Sequence, residues 1–195
     1  MALPPLTEAL QPLLETLDEA LHQRERERRA GPAGRRPVQV LYGGAHLFRA
    51  GAAARMGGLA RAALDAYAPD GSTFAHALGV SVSPTQATDL RKRVIAKLER
   101  EPVEDFRIDF EDGYGVRPDA EEDAHAEAAG KSLEQGRREA TLPPFVGIRL
   151  KPFAGQAARR ALRTLELVGG QLTGEPLAGF AITAPKVVLP IQVEM

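Results

Sequence analysis

Three acidic residues lie at the end of a short apolar run in the segment IDFEDGYG, residues 108–115. Carboxylates at the exit of a buried strand are costly to desolvate unless they serve a metal ion, a proton transfer or an ion-pair network. The candidates for such a role are Asp109, Glu111 and Asp112. The structural alternative is a helix-capping or ion-paired cluster that faces Arg107 or Arg117.

Two cationic residues lie at later strand exits. Arg149 follows the apolar residues 146–148 and offers a planar guanidinium that can hold the carboxylate or phosphate of a substrate. Alternatively, Arg149 pairs with Glu111 or Asp112, and both roles can hold at once. Lys186 follows the last apolar run, where it can supply positive charge or, if desolvated, an amine nucleophile.

His46 follows two glycines at the exit of the first predicted strand. Its pKa near working pH suits a general base or a substrate hydrogen bond, and a histidine with a packing role alone is the alternative. Gly43 and Gly44 can present backbone amides to an anionic substrate. Their spacing is neither GxGxxG nor that of a P-loop, which makes this a weak signal.

The predicted secondary structure places these residues at one end of a sheet. Strands are predicted over 38–42, 106–110, 145–150 and 180–183, and helices over 7–29, 52–67, 85–100, 119–139 and 155–168. Strands that alternate with helices predict an α/β fold with a parallel sheet, in which ligands gather at the carboxyl ends of the strands. Gly57 and Gly58 are expected to interrupt the second helix, and Asp119 to cap the fourth.

Composition narrows the classes of function. The 195 residues carry a formal net charge of −1. The protein therefore has no overall positive charge that would attract nucleic acid or an anionic membrane. Cysteine is absent, which excludes disulfides and thiolate chemistry and is consistent with a cytoplasmic protein. No apolar stretch is long enough for a transmembrane helix.

We expect an N-terminal amphipathic helix and linker over 1–36, and the α/β domain over 37–195.

Four segments together resemble the HpcH/HpaI aldolase and citrate lyase β-subunit superfamily, and most closely its aldolase-like DUF6986 branch. The segments are VLYGGAHLF, FRIDFEDGYG, VGIRLKP and APKVVLP. The resemblance covers roughly residues 38–190. It implies a (β/α)8 barrel of the phosphoenolpyruvate/pyruvate-binding type that uses Mg²⁺ to stabilise an enolate while a carbon–carbon bond is made or broken next to a carboxylate.

The resemblance also implies roles for individual residues. Arg149 matches the arginine that binds the substrate carboxylate. Asp109, Glu111 and Asp112 match the acidic motif near the metal, which often acts through bound water. His46 lies where some aldolases of the superfamily carry a histidine base. A divalent cation and an arginine would together offset the charge that develops on an enolate oxygen.

The chain departs from this pattern in its number of strands. A barrel of this type takes about 250 residues and eight strands, whereas four are predicted here. The direct metal ligands of the superfamily, a glutamate and an aspartate from later strands, have no counterpart in the sequence. We therefore expect the N-terminal part of a TIM barrel, as a truncated copy, a split gene product or a fragment, inactive until another copy or a partner chain completes it.

Two functional hypotheses follow. The first is a Mg²⁺-dependent lyase or aldolase that acts on a small anionic substrate, either a 2-oxo acid or an acyl-CoA-type carboxylate. The second is a non-catalytic remnant or interaction protein that pairs with itself or with another chain. A nucleotide-binding doubly wound domain is disfavoured because the glycine fingerprint is missing.

Overall fold

The computed structural model describes residues 15–16, 18–19, 21–23, 35–173, 177 and 179–193. The chain divides into two units, Met1–Arg36 and Pro37–Met195. In the first unit, residues 15–16, 18–19 and 21–23 are helical, and residues 35–36 have no regular secondary structure. Most of the helix predicted over 7–29, and the linker predicted at 31–34, lie outside the described residues.

The second unit is a mixed α/β structure built on a four-stranded parallel sheet. The strands are β1 (Val40–Gly44), β2 (Asp105–Asp109), β3 (Phe145–Arg149) and β4 (Phe180–Thr183). The helices are α1 (Ala52–Tyr67), α2 (Gly71–Ala77), α3 (Pro84–Arg100), α4 (Asp119–Arg138) and α5 (Gly155–Gly169). Short 3₁₀ helices occupy Ala45–Leu47 and Pro190–Val193. The predicted parallel α/β class is confirmed, and β1 begins two residues later than the sequence indicates.

The strands lie side by side in chain order, β1-β2-β3-β4, and all three pairings are parallel. The last register position aligns Gly44 with Asp109, Asp109 with Arg149, and Arg149 with Thr183. The side chain of the acidic strand exit is therefore a direct neighbour of the arginine at the next strand exit.

One face of the sheet packs against the helices to form the core. This layer contains the strand residues Phe106, Ile108, Val146 and Ile148, and the residues Phe110 and Leu150 that directly follow β2 and β3. The helix residues include Ala126, Ala129, Leu133, Ala161 and Val168. The alanines let α4 and α5 approach the sheet closely. Full burial of each large apolar side chain contributes about 1.5–3 kcal/mol, so this layer fixes the positions of the strand ends.

The opposite face of the sheet carries charge. Arg107 and Asp105 form an ion pair along β2, with Nη2 to Oδ2 at 2.6 Å. Gly147 leaves room for this arginine, because a Cβ there would lie 2.9 Å from Arg107 Nη1 and would overlap the carbonyl oxygen of Ala181.

Two local expectations were wrong. Helix α1 continues through Gly57 and Gly58, and Gly57 is required because a Cβ there would lie 2.8 Å from Pro102. Asp119 does not cap α4, since the N-cap residue is Pro118 and no side chain bonds the free amides.

Among the described helices, none combines the length and the apolar composition needed to cross a bilayer.

The packing at Gly147 predicts a large loss of stability for Gly147→Ala. The new methyl group has no space between Arg107 and Ala181, so we expect a loss of about 2 kcal/mol or more in the free energy of unfolding. Gly58→Ala is the matched control, because a Cβ at Gly58 meets nothing within 4 Å. In the helix interior it should stabilise by about 0.5–1 kcal/mol. Urea denaturation measures both, and a Gly147→Ala protein as stable as wild type would contradict this packing.

Candidate active site at the strand ends

An ion pair between the buried Asp109 and the partly buried Arg149 forms the centre of the site. Arg149 Nε donates to Asp109 Oδ1 at 2.8 Å, and Nη2 donates to Oδ2 at 2.5 Å. This is the bidentate geometry that makes an arginine–carboxylate pair strong. The two residues occupy the same register position on β2 and β3, so the sheet itself brings them together.

The carboxylate of Asp109 also organises the turn that follows it. Oδ1 accepts the backbone N–H of Glu111 at 2.9 Å, and Oδ2 accepts that of Gly113 at 2.8 Å. Position 113 must be glycine because a Cβ there would lie 2.6 Å from Asp109 Oδ2. Burial alone would raise the pKa of Asp109, but the hydrogen bonds from Arg149 and the two amides outweigh it and hold that pKa below its usual range.

The other two acidic residues lie between two cations. Lys186 Nζ is 2.8 Å from Glu111 Oε1 and 3.6 Å from Asp112 Oδ1. Arg149 Nη1 is 3.4 Å from the nearer oxygen of each carboxylate. The contacts to Glu111 are ion pairs outside hydrogen-bond geometry, and both of its oxygens are buried without a hydrogen-bonded partner in the described part of the chain.

Lys186 is held as a protonated cation. The adjacent Glu111 carboxylate, followed by the charge of Asp112, raises its pKa. Its side chain is 63% exposed, and the desolvation that would favour the neutral amine of a nucleophile is outweighed by the two carboxylates. Its backbone has a φ of 54°, in the left-handed region that costs a non-glycine residue about 1–2 kcal/mol. These features favour a fixed positive charge over Schiff-base chemistry.

Tyr42 is a member of the site that sequence reasoning missed. The guanidinium carbon of Arg149 lies 4.7 Å from the centre of the Tyr42 ring, which is a cation–π contact. The sequence could have indicated this position, because side chains alternate between the two faces of a strand. Tyr42 lies two residues before Gly44 and therefore on the same face of β1. The ring covers one side of the guanidinium and leaves Nη1 directed to residues 110–113, the acidic turn that carries Glu111 and Asp112.

His46 lies in a separate aromatic cluster. Its ring centre is 5.7 Å from that of Tyr114 and 6.1 Å from that of His125, and the Tyr114 hydroxyl is 2.7 Å from His125 Nδ1. Burial, with the charge of Arg117 as the next cause, lowers the pKa of His46. Burial, followed by the charge of Glu122, raises the pKa of Tyr114 to about 12. Among the described residues, no hydrogen bond or ion pair joins the His46 ring to the acidic turn.

The two glycines before His46 have a packing role. A Cβ at Gly43 would lie 2.8 Å from the Phe106 ring. A Cβ at Gly44 would overlap the carbonyl oxygen of Gly113 and lie 2.7 Å from His46 Cε1. Gly44 at the exit of β1 therefore lies directly against the turn that contains Gly113, and Gly43 lies against the Phe106 ring. These two close contacts account for the glycines without an anion.

A second buried ion pair supports the acidic turn from the helix layer. Lys151 Nζ donates to Glu122 Oε2 at 2.6 Å and to the carbonyl oxygen of Phe110 at 3.1 Å. Thr164 Oγ1 donates to Glu122 Oε1 at 2.9 Å. The sequence explains Glu122 by the helix dipole alone, but the structure shows it 1% exposed, where it links α4, α5 and the strand ends.

The magnesium ion implied by the superfamily resemblance can be tested against these contacts. Asp109 does not fit as a ligand, because each oxygen already accepts two hydrogen bonds. Glu111 and Asp112 fit better, since the Glu111 oxygens accept no hydrogen bond and Mg²⁺ is often held by one or two carboxylates plus water. Among the described residues no group of three or more His, Cys, Asp or Glu side chains is placed to hold a metal.

The chain belongs to the family described as a domain of unknown function, DUF6986, whose model matches residues 17–195. The DUF6986 part of the sequence resemblance is therefore confirmed, and the family description names no activity. Searches of curated proteins and of solved structures gave no match.

The buried pair predicts that Asp109→Asn is strongly destabilising. The amide removes the bidentate counter-charge of Arg149, which keeps only its 3.4 Å contacts to Glu111 and Asp112, and it directs an N–H group toward N–H donors. We therefore expect a loss of about 2–3 kcal/mol. Asp112→Asn is the matched control, because its side chain is largely exposed, and it should change stability by less than about 0.5 kcal/mol. Urea denaturation at neutral pH measures both. Equal stabilities for the two variants would contradict the central role of Asp109.

The lowered pKa of Asp109 also predicts a pH dependence. A carboxyl group with a depressed native pKa stabilises the fold at pH values above its unfolded pKa of about 3.9, and loses that contribution as pH falls through the native value. The stability difference between wild type and Asp109→Asn should therefore be largest near neutral pH and shrink below about pH 4. Urea denaturation of both proteins across this pH range tests the direction of the change. A stability difference that grows as pH falls would contradict the lowered pKa of Asp109.

Proposed function

We propose that this member of the DUF6986 family is related to the HpcH/HpaI aldolase and citrate lyase β-subunit superfamily, and that it carries part of a Mg²⁺-dependent carbon–carbon lyase or aldolase site. The substrate would be a small 2-oxo acid or an acyl-CoA-type carboxylate that reacts through an enolate. The observation that carries the proposal is the cluster of Arg149, Lys186, Glu111 and Asp112 at the carboxyl edge of a parallel sheet.

The sheet order supports a barrel ancestry. Doubly wound sheets reverse their strand order at a switch point, whereas barrel strands follow one another around the ring. The order here, β1-β2-β3-β4, contains no reversal. The charged face with Asp105 and Arg107 would then lie inside the barrel, and the apolar face under α4 and α5 outside it. The remaining strands of a (β/α)8 barrel would lie beyond the four described ones.

The cations of the cluster supply the chemistry of binding. The Arg149 fork is occupied by Asp109, so a substrate carboxylate would meet the remaining Nη1 group together with the exposed Lys186 ammonium. Asp109 thus positions Arg149 and does not itself touch the substrate. Preorganised positive charge of this kind stabilises an enolate oxygen more than it stabilises the ground state.

Glu111 and Asp112 are the residues that would hold a magnesium ion, directly or through water. When bound, the ion would supply Lewis-acid stabilisation of the enolate oxygen. His46 is the candidate for proton transfer, because its lowered pKa keeps the imidazole neutral and able to accept a proton at neutral pH. Lys186 would remain protonated and contribute charge.

A second candidate function rests on exposed apolar surface. Val38, beside the first strand, is 94% exposed, and Val188, after the last strand, is 80% exposed. Both outer edges of the sheet lack a strand partner among the described residues. Open edges and exposed apolar side chains mark interaction surfaces, which supports a protein that pairs with a second copy or with a partner chain without catalysing a reaction.

The lyase proposal predicts that the protein purified from its source cells binds pyruvate in the presence of Mg²⁺, and that Lys186→Gln weakens this binding at least about tenfold, the equivalent of 1.4 kcal/mol. Lys92→Gln is the matched control, because it removes the same charge from an exposed site on α3. Ligand-observed NMR measures the affinity of both variants for pyruvate. In a separate assay, removal of Mg²⁺ with a chelator should abolish lyase turnover. Pyruvate binding that is absent, or insensitive to Lys186→Gln, would favour the interaction protein.

A further inference from the structure

The side-chain amide of Gln192 joins two loops at the carboxyl edge of the sheet. Its Oε1 accepts the backbone N–H groups of Val188 and Leu189, each at 2.8 Å, and its Nε2 donates to the carbonyl oxygen of Phe153 at 3.0 Å. Val188 and Leu189 belong to the loop that follows β4, and Phe153 belongs to the loop between β3 and α5. One half-buried side chain therefore fixes the position of one loop against the other.

The loop after β4 carries Lys186, the exposed cation of the strand-end site. Pairing of β4 with β3 ends at Thr183, whose carbonyl oxygen accepts the N–H of Leu150 at 3.1 Å. In the described part of the chain, the backbone of residues 184–187 forms no hydrogen bond. The two bonds to Gln192 are thus the first that hold the backbone beyond Lys186.

The backbone conformation of Lys186 needs this support. Its φ of 54° lies in the left-handed region, which is sterically unfavourable for a residue with a Cβ. Such conformations persist only where the surrounding structure fixes them. The turn is fixed on one side by the pairing of β4 and on the other by Gln192. A chain held in this way directs the ammonium to Glu111, 2.8 Å away, and to Asp112, 3.6 Å away.

The ion pairs alone are a weaker explanation for the placement of Lys186. Its contact to Asp112 joins two largely exposed side chains, and ion pairs of that kind contribute little stability. The contact to the buried Glu111 is closer, but an ammonium at the end of a flexible four-carbon side chain does not set the conformation of its own backbone. The hydrogen bonds from the loop backbone to Gln192 do.

We infer that Gln192 is a positioning residue of the strand-end site: by joining the loop after β4 to the loop after β3, it places the Lys186 ammonium beside Glu111 and Asp112. Among the described residues, Gln192 forms no hydrogen bond with Lys186 or with the acidic turn, so it acts through the loop backbone. The part of Lys186 in binding pyruvate rests on the proposed function, whereas the placement of its ammonium is measured separately.

Gln192→Met tests the bonds between the loops, because methionine has a similar length but lacks the amide. Gln156→Met is the matched control, since it makes the same change at an exposed position of α5 whose side chain forms no hydrogen bond among the described residues. Amide hydrogen exchange at Val188 and Leu189, followed by NMR, should become at least about fivefold faster in Gln192→Met and stay within about twofold in the control. Gln192→Glu keeps an oxygen acceptor for both amides, so their exchange should stay within about twofold of wild type.

The placement of Lys186 is measured by its reaction with acetic anhydride, with the exposed Lys92 as the internal reference in each sample. The ratio of acetylation at Lys186 to that at Lys92, determined by peptide mass spectrometry, should rise at least about threefold in Gln192→Met, because the ammonium leaves the carboxylates that keep it protonated. Gln192→Ala, which also lacks the amide, should give the same rise. A role of Gln192 in stability alone would leave this ratio unchanged.

The outcomes separate this inference from the proposed lyase activity. A higher acetylation ratio together with weaker pyruvate binding in Gln192→Met would support both. A higher ratio in a protein that binds no pyruvate would support the positioning role and contradict the lyase proposal. An unchanged ratio, or equal changes in Gln192→Met and Gln156→Met, would overturn the positioning role whether or not pyruvate binds. Circular dichroism checks that each variant folds.

Discussion

The structure of the strand ends depends on one constraint, the burial of the Asp109 carboxylate. Burial of a carboxylate is costly, which sets two requirements for Asp109: hydrogen bonds to its oxygens and an opposite charge beside it. Arg149 meets the second requirement, and the amides of Glu111 and Gly113 help to meet the first. To satisfy Asp109, the chain must form the acidic turn in one conformation and β3 must align with β2 in one register.

The acidic turn is then held from two directions. On the sheet side, Asp109 binds its amides, and on the helix side Lys151 binds the carbonyl oxygen of Phe110 while paired with Glu122. Packing of α5 on α4 is what brings Thr164 to Glu122. Glu111 and Asp112 thus lie at the end of a rigid support, as residues that bind a substrate or a metal must.

Much of this arrangement follows from the sequence. The parallel α/β class, the strand exits at Asp109 and Arg149, and the bounds of α1 and β4 all follow from apolar periodicity and turn residues. The partner of Arg149 does not follow, because alternation assigns a face to each residue but no register between strands. The sequence reading offered Glu111 or Asp112, and Arg149 Nη1 does lie 3.4 Å from each of these carboxylates. The alignment of β2 with β3 adds Asp109 as the bidentate partner, which the sequence reading did not include. The burial of Glu122 was also out of reach, since it depends on how two helices pack.

The most direct test of this account is a double-mutant cycle on Asp109 and Arg149. The free energies of unfolding of wild type, Asp109→Asn, Arg149→Gln and the double variant give the coupling energy between the two side chains. The account predicts a coupling of about 2–3 kcal/mol, because either single variant removes the bidentate partner of the other side chain and the double variant removes both charges. Additive losses, with a coupling below about 0.5 kcal/mol, would show that the two residues act independently and would contradict it.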